Sequence, residues 1–216
     1  MAPTDRDALV ALYNSADGPN WSESTGWDTD APLSDWYGVT ANDEGRVVEL
    51  SLIANDLRGP IPPELGKLAA LERLELQWNQ LLSGPIPPEL GNLSNLQELD
   101  LSGPISGGGL TGPIPPELGN LAALEILKLG ANGLSGPIPK ELGALAELMD
   151  LRLSGNRLSG PIPPELRKLE ALTTLNLHGN ELSGLWDMLG GEEAGAKAGG
   201  LDELVHDDFL RACRMW

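Results

Sequence analysis

Hydrophobic positions along this chain recur on two scales. In Leu148-Met149-Asp150-Leu151-Arg152-Leu153, Leu151 and Leu153 alternate with polar residues, the period-two mark of a strand with one buried face. The same string starts at Val47, Leu71, Leu96, Leu124, Leu148 and Leu172. A turn follows it, and then Gly-Pro-Ile-Pro, which begins at Gly59, Gly84, Gly112, Gly136 and Gly160. The unit reads L-x-x-L-x-L-x-x-N-x-L-x-G-P-I-P-x-E-L-G-x-L-x-x, a self-similarity that outranks every other signal in the chain.

Each position of the unit has a physical task. Asn55, Asn79, Asn132, Asn156 and Asn180 stand just after the strand, where a buried amide can satisfy backbone groups between stacked coils. Glycine then permits the turn, and the proline pair fixes φ and bars a regular helix. Pro63-Glu64-Leu65-Gly66-Lys67-Leu68 is too short for an α-helix and suits a 3₁₀ turn that folds Leu65 and Leu68 inward. One such coil cannot bury its leucines, whereas stacked coils share a continuous core. The expected fold is an α/β repeat solenoid, a right-handed superhelix with a parallel β-sheet on its concave side and a helical cap at the N-terminus.

Three segments follow from this pattern: a cap over residues 1–46, six repeats over residues 47–184, and a divergent tail over residues 185–216. In the cap, Thr4-Asp5-Arg6-Asp7 looks like a capping box opening a helix with Leu9, Leu12 and Tyr13 on one side. In the tail, residues 190–200 are rich in Gly, Ala and Glu and read as a linker or a poor helix. Leu201, Leu204, Val205, Ala212, Cys213 and Trp216 then share one helical stripe, as a lid for the last coil or a helix for a partner. Two repeats slip: the second has an added leucine at Leu81-Leu82. The third carries an insertion at 102–109, with Pro104 where the ladder asparagine belongs.

The repeat resembles the plant-type leucine-rich repeat of receptor-kinase ectodomains and polygalacturonase-inhibiting proteins. The L-x-G-x-I-P stretch is that class's mark, and the resemblance implies a second short strand beside the concave sheet. It extends over residues 4 to 184. The stretch Ser34-Asp35-Trp36-Tyr37-Gly38-Val39-Thr40-Ala41 before Arg46-Val47 matches the family's cap motif, with Ser34 and Ala41 where the family has cysteines.

Composition narrows the reading. Net charge is −18, which repels nucleic-acid backbones and anionic membranes. With one cysteine, Cys213, no disulfide can close within the chain. The missing cap cysteines, and a first thirty residues without an apolar run, lead to the expectation of a cytoplasmic protein; the alternative is an extracellular one, trimmed from a longer chain. Neither His178 nor His206 has neighbours at metal spacing, and no nucleophile elbow or nucleotide-binding loop occurs. No enzyme, cofactor or metal is expected.

Function is then expected on the concave face, where template positions three, five, seven and eight point outward. The candidate partner-binding residues are Arg73, Glu75, Gln77, Trp78, Glu98, Asp100, Lys128, Asp150, Arg152 and His178. Trp78 is singled out because Trp is enriched at binding hot spots and its column otherwise holds only Ala and Gly. The acids and bases of the fifth column can instead form a cross-strand ladder, Glu75 and Asp100 against Lys128 and Arg152. The expected function is non-catalytic binding of a protein or peptide by a monomer, with no membrane insertion. The alternatives are a structural spacer or ectodomain fragment of a larger receptor-like protein, and a cell-wall-directed inhibitor or sensor.

Overall fold

The computed structural model describes residues 4–104 and 108–183. The tail over residues 185–216 and part of the third-repeat insertion lie outside the described residues.

Helix α1, Asp5–Ser15, opens on a reciprocal capping box: the Thr4 hydroxyl accepts from the Asp7 backbone N–H (3.3 Å), and the Thr4 N–H donates to Asp7 Oδ2 (2.6 Å). Ala8, Leu9 and Leu12 bury one side of α1 against the first coil. The buried Asp5 carboxylate accepts from Arg46 Nε (2.9 Å), Arg46 Nη2 (3.0 Å) and the Val47 N–H (2.9 Å), tying α1 to the first solenoid strand. Tyr13, Trp21, Trp27 and Trp36 form a chain of ring contacts with centroids 4.8–5.4 Å apart between successive rings. The Trp21 indole donates to the Ala16 carbonyl (2.7 Å) and Trp27 to that of Tyr37 (2.9 Å). These rings hold the cap, with Ser34 and Ala41 where the resemblance places cysteines.

Thirteen strands follow in chain order among the described residues: β1 Val39–Ala41, β2 Val47–Ser51, β3 Arg58–Pro60, β4 Arg73–Glu75, β5 Leu81–Ser83, β6 Glu98–Asp100, β7 Thr111–Gly112, β8 Ile126–Lys128, β9 Gly133–Gly136, β10 Asp150–Arg152, β11 Arg157–Pro161, β12 Thr174–Asn176 and β13 Glu181–Ser183. The concave sheet runs β1-β2-β4-β6-β8-β10-β12, parallel except for β1. Leu50, Leu74, Leu99, Leu127, Leu151 and Leu175 are successive partners across it, and all are buried. Each buried leucine contributes about 1.5–3 kcal/mol, and this column runs the length of the core. The flanking sheet is split. Strands β13-β11-β9-β7 form one part and β3-β5 the other, joined by an isolated bridge between Gly84 and Leu110.

The asparagines run between the two sheets. Asn79 accepts from the Asn55 and Leu57 N–H groups (2.9 and 3.0 Å) and donates to the Leu52 and Leu76 carbonyls (2.8 and 2.9 Å). Asn156 accepts from Leu134 N–H (3.0 Å) and donates to the Leu129 and Leu153 carbonyls (2.9 and 3.0 Å). Asn132 and Asn180 repeat this pattern, and Asn55 exchanges bonds with the Glu23 backbone in the cap. Pro104 has no amide to offer, so the rung between the second and third coils is missing where the flanking sheet is also split.

On the outer side, five 3₁₀ turns stack: Pro63–Lys67, Pro88–Asn92, Pro116–Asn120, Lys140–Ala144 and Pro164–Lys168. A Cβ on Gly66, Gly91, Gly119 or Gly143 would meet the glutamate carbonyl oxygen of the next turn at 2.2–2.5 Å. Glycine is therefore required wherever another such turn follows. Arg167 takes this column in the last of them.

Two substitutions test this account. Asn156→Ala leaves the buried Leu134 N–H without its acceptor and takes one of two asparagine donors from each of the Leu129 and Leu153 carbonyls. It is expected to cost about 2 kcal/mol, measured by chemical denaturation. Gly91→Ala places a methyl 2.3 Å from the Glu117 carbonyl oxygen and is expected to cost about 2 kcal/mol. A loss under about 0.5 kcal/mol in either case would contradict the packing.

Candidate interaction surface on the concave sheet

Strands of three residues hold template positions three to five, so the leucine at position four points inward and its neighbours outward. The outward columns are Glu49, Arg73, Glu98, Ile126, Asp150, Thr174 and Ser51, Glu75, Asp100, Lys128, Arg152, Asn176. Their charges largely pair with one another. Arg73 reaches Glu49 (3.7 Å) and Glu98 (3.3 Å), and Lys128 reaches Glu98 (3.3 Å) and Asp100 (3.7 Å). Arg152 pairs along its own strand with Asp150 (3.0 Å). That hydrogen bond raises the Arg152 guanidinium above its ordinary value, and the charge of Asp100 adds to the effect. The more exposed of these pairs, those of Arg73 and Arg152, contribute at most about 1 kcal/mol each. Together the pairs leave a polar face that is largely neutralised along its length.

Not every candidate stands out into solvent. Asp100 is buried and accepts from the Ser102 N–H (3.0 Å), and Gln77 is buried as well. Positions seven and eight lie in the turn after the strand, where the backbone leaves the sheet. His178 is exposed in the turn after β12, four strands from Trp78 and about 19 Å away at the usual inter-strand spacing. The two residues therefore belong to opposite ends of the face.

Trp78 is 57% exposed and has φ of +64°. In the same column Ala54, Ala131, Gly155 and Gly179 are also at positive φ, whereas Gly103 of the irregular third coil is not. The regular coil places a left-handed residue there, which glycine adopts freely and a residue with a Cβ adopts at a cost of roughly 1–2 kcal/mol. The alternation of small residues in that column is the signal by which sequence could have found the strain. Leu81 and Tyr37, both exposed, carried no such signal.

The fold and this face define a class: a repeat scaffold that presents an exposed sheet. Comparison with known proteins agrees. The Leucine Rich Repeat family model matches residues 70–93 and 147–169. A probable leucine-rich repeat receptor-like protein kinase of Arabidopsis thaliana is 37% identical over 81 residues, which span 37% of this chain and 8% of that protein. The crystal structure of the BIR2 ectodomain from Arabidopsis thaliana has a TM-score of 0.69 and 32% identity, and the match covers 86% of this chain and 97% of that one. The Arabidopsis receptor kinase HAESA, solved in complex with the peptide hormone IDA and the co-receptor SERK1, has a TM-score of 0.73 and 33% identity over 83% of this chain and 30% of that chain. This chain belongs to the plant-type leucine-rich-repeat family. It spans only a small part of the kinase relative. The leucine-rich-repeat fold is generally a non-enzymatic interaction scaffold, and nothing among the described residues indicates catalysis.

These likenesses overturn the expectation of a cytoplasmic protein. The matched structures are receptor-kinase ectodomains, which points to an extracellular setting. The missing cysteines misled because a cap built on Trp21, Trp27, Trp36 and the buried Asp5 carboxylate does not need a disulfide to close.

Trp78→Gly should remove strain and little buried surface. Its expected effect is a stability unchanged or raised by up to about 1 kcal/mol, read from thermal unfolding; a marked loss would show that the indole is a packing residue.

Proposed function

We propose that this chain is a protein-interaction module of a receptor-like protein and that it takes a protein or peptide along its concave sheet. Trp78 carries the reading. A large aromatic is kept half-exposed in a left-handed position that its column otherwise fills with alanine and glycine. Arg73, Glu75, Gln77, Glu98, Asp100, Lys128, Asp150, Arg152 and His178 complete the proposed face. The mutual pairing of its charges supports a partner held by shape and hydrogen bonds, because a highly charged one would have to break the ladder. The HAESA complex, with its bound peptide hormone, lends the reading support from the family.

The test compares two double variants of the purified chain as bait for proteins of its own extracellular fraction. Trp78→Ala/Arg152→Glu alters the concave face, and Glu117→Lys/Glu141→Lys alters the outer turns. A partner lost with the first and kept with the second is the expected result. Retention by the concave variant would refute this location for the site.

A further inference from the structure

We propose that Glu75, Gln77 and Trp78 form a subsite for an arginine side chain, so that the partner of the concave face is a segment presenting an arginine to the second coil. The inference rests on the concave-face reading above and names the chemistry at one point on it.

Charge pairing locates the subsite. Arg73, Lys128 and Arg152 each have a carboxylate partner, and Glu49, Glu98, Asp100 and Asp150 each have a cation. Among the described residues of the two outward columns, Glu75 alone is a charged group with neither an ion pair nor a side-chain hydrogen bond. Its register partners are Ser51 on one side and Asp100 on the other. Two carboxylates thus lie directly opposite each other on adjacent strands, an arrangement that is destabilising unless a cation joins them. Lys128 approaches Asp100 from the far strand and leaves Glu75 unserved.

The next residues of the same coil repeat this demand in two other forms. Gln77 is buried, and its Oε1 has no hydrogen-bond donor. A covered acceptor of this kind costs about 1–3 kcal/mol until it is paired. Trp78 offers the face of an indole, which attracts a cation through its quadrupole. A carboxylate, an amide oxygen and an indole therefore fall within four consecutive residues of one coil, and each calls for a donor or a cation. A guanidinium forks onto the carboxylate and stacks flat on the aromatic ring, and its remaining N–H donors pair the covered Gln77 Oε1 once that side chain turns outward. An ammonium supplies charge without the planar stacking, so arginine is preferred over lysine. Charge complementarity at longer range acts in the same direction, because a chain of net charge −18 draws basic segments and repels acidic ones.

The experiment is selection of a phage-displayed random peptide library on the intact chain, with binding faces assigned by loss of binding to the two double variants above. Concave-binding peptides should share an arginine. Changing that arginine to glutamine should weaken binding about ten-fold on the parent chain and much less on Glu75→Gln. That variant is an isosteric change at a half-buried position with no ion pair or side-chain hydrogen bond among the described residues, which keeps folding out of the comparison. Changing it to lysine should weaken binding measurably on the parent and little on Trp78→Gly. Concave-binding peptides without a cationic residue, or equal losses on parent and Glu75→Gln, would overturn the subsite while leaving the concave-face reading intact. Selected peptides that bind only the outer turns, or no selected peptide at all, would overturn both.

Discussion

Everything in this molecule depends on the inability of one coil to stand alone. A coil holds a strand of three residues, a turn and a 3₁₀ segment; the strand cannot close its own hydrogen bonds, and no part of the coil covers its own leucines. The neighbouring coil supplies both. Leu127 is covered by Leu99 and Leu151 in the flanking strands, and the Asn156 amide spans carbonyls of two coils at once. Repetition here is a physical requirement, since the only surface that fits a coil is another of the same shape.

The same constraint explains the start of the stack and its irregular third coil. At the start, α1 and the cap strand β1 cover the first coil, and the buried Asp5 carboxylate joins the two units through Arg46 and Val47. Towards the other end, glycine gives way to Arg167 in the column that otherwise packs under the following 3₁₀ turn. Between the second and third coils, Pro104 removes an asparagine rung and the flanking sheet is reduced to a single bridge. The concave sheet still runs unbroken across this point, through β4 and β6. The leucine column therefore holds the coils in register where the asparagine ladder does not.

A scaffold of this kind leaves its outward positions free to vary, and the variation is where function enters. Most of the outward charges cancel in a ladder from Glu49 through Arg73, Glu98 and Lys128 to Asp100. The second coil departs from that balance. It carries an uncompensated carboxylate, an unpaired amide oxygen and a strained, exposed tryptophan in four consecutive residues, all beside the irregular junction. Local conflict concentrated in one coil is the observation on which the proposed subsite rests.

How much of this was legible beforehand divides along physical lines. The 24-residue repeat, the inward leucines, the parallel sheet and the places where the pattern slips were all readable in sequence, because burial on one face of a strand leaves a period of two and stacking makes the same residues recur. Trp78 was readable as an oddity in its column. Its left-handed backbone, the burial of Gln77 and Asp100, and the partners chosen by Arg73 and Lys128 were not. Those depend on how far apart neighbouring coils sit and how each turn leaves the sheet. The cap shows the division most clearly. Its sequence displayed the loss of two cysteines and suggested a compartment, whereas only the tertiary structure showed three indoles in edge-on and tilted contact and one buried carboxylate closing the cap.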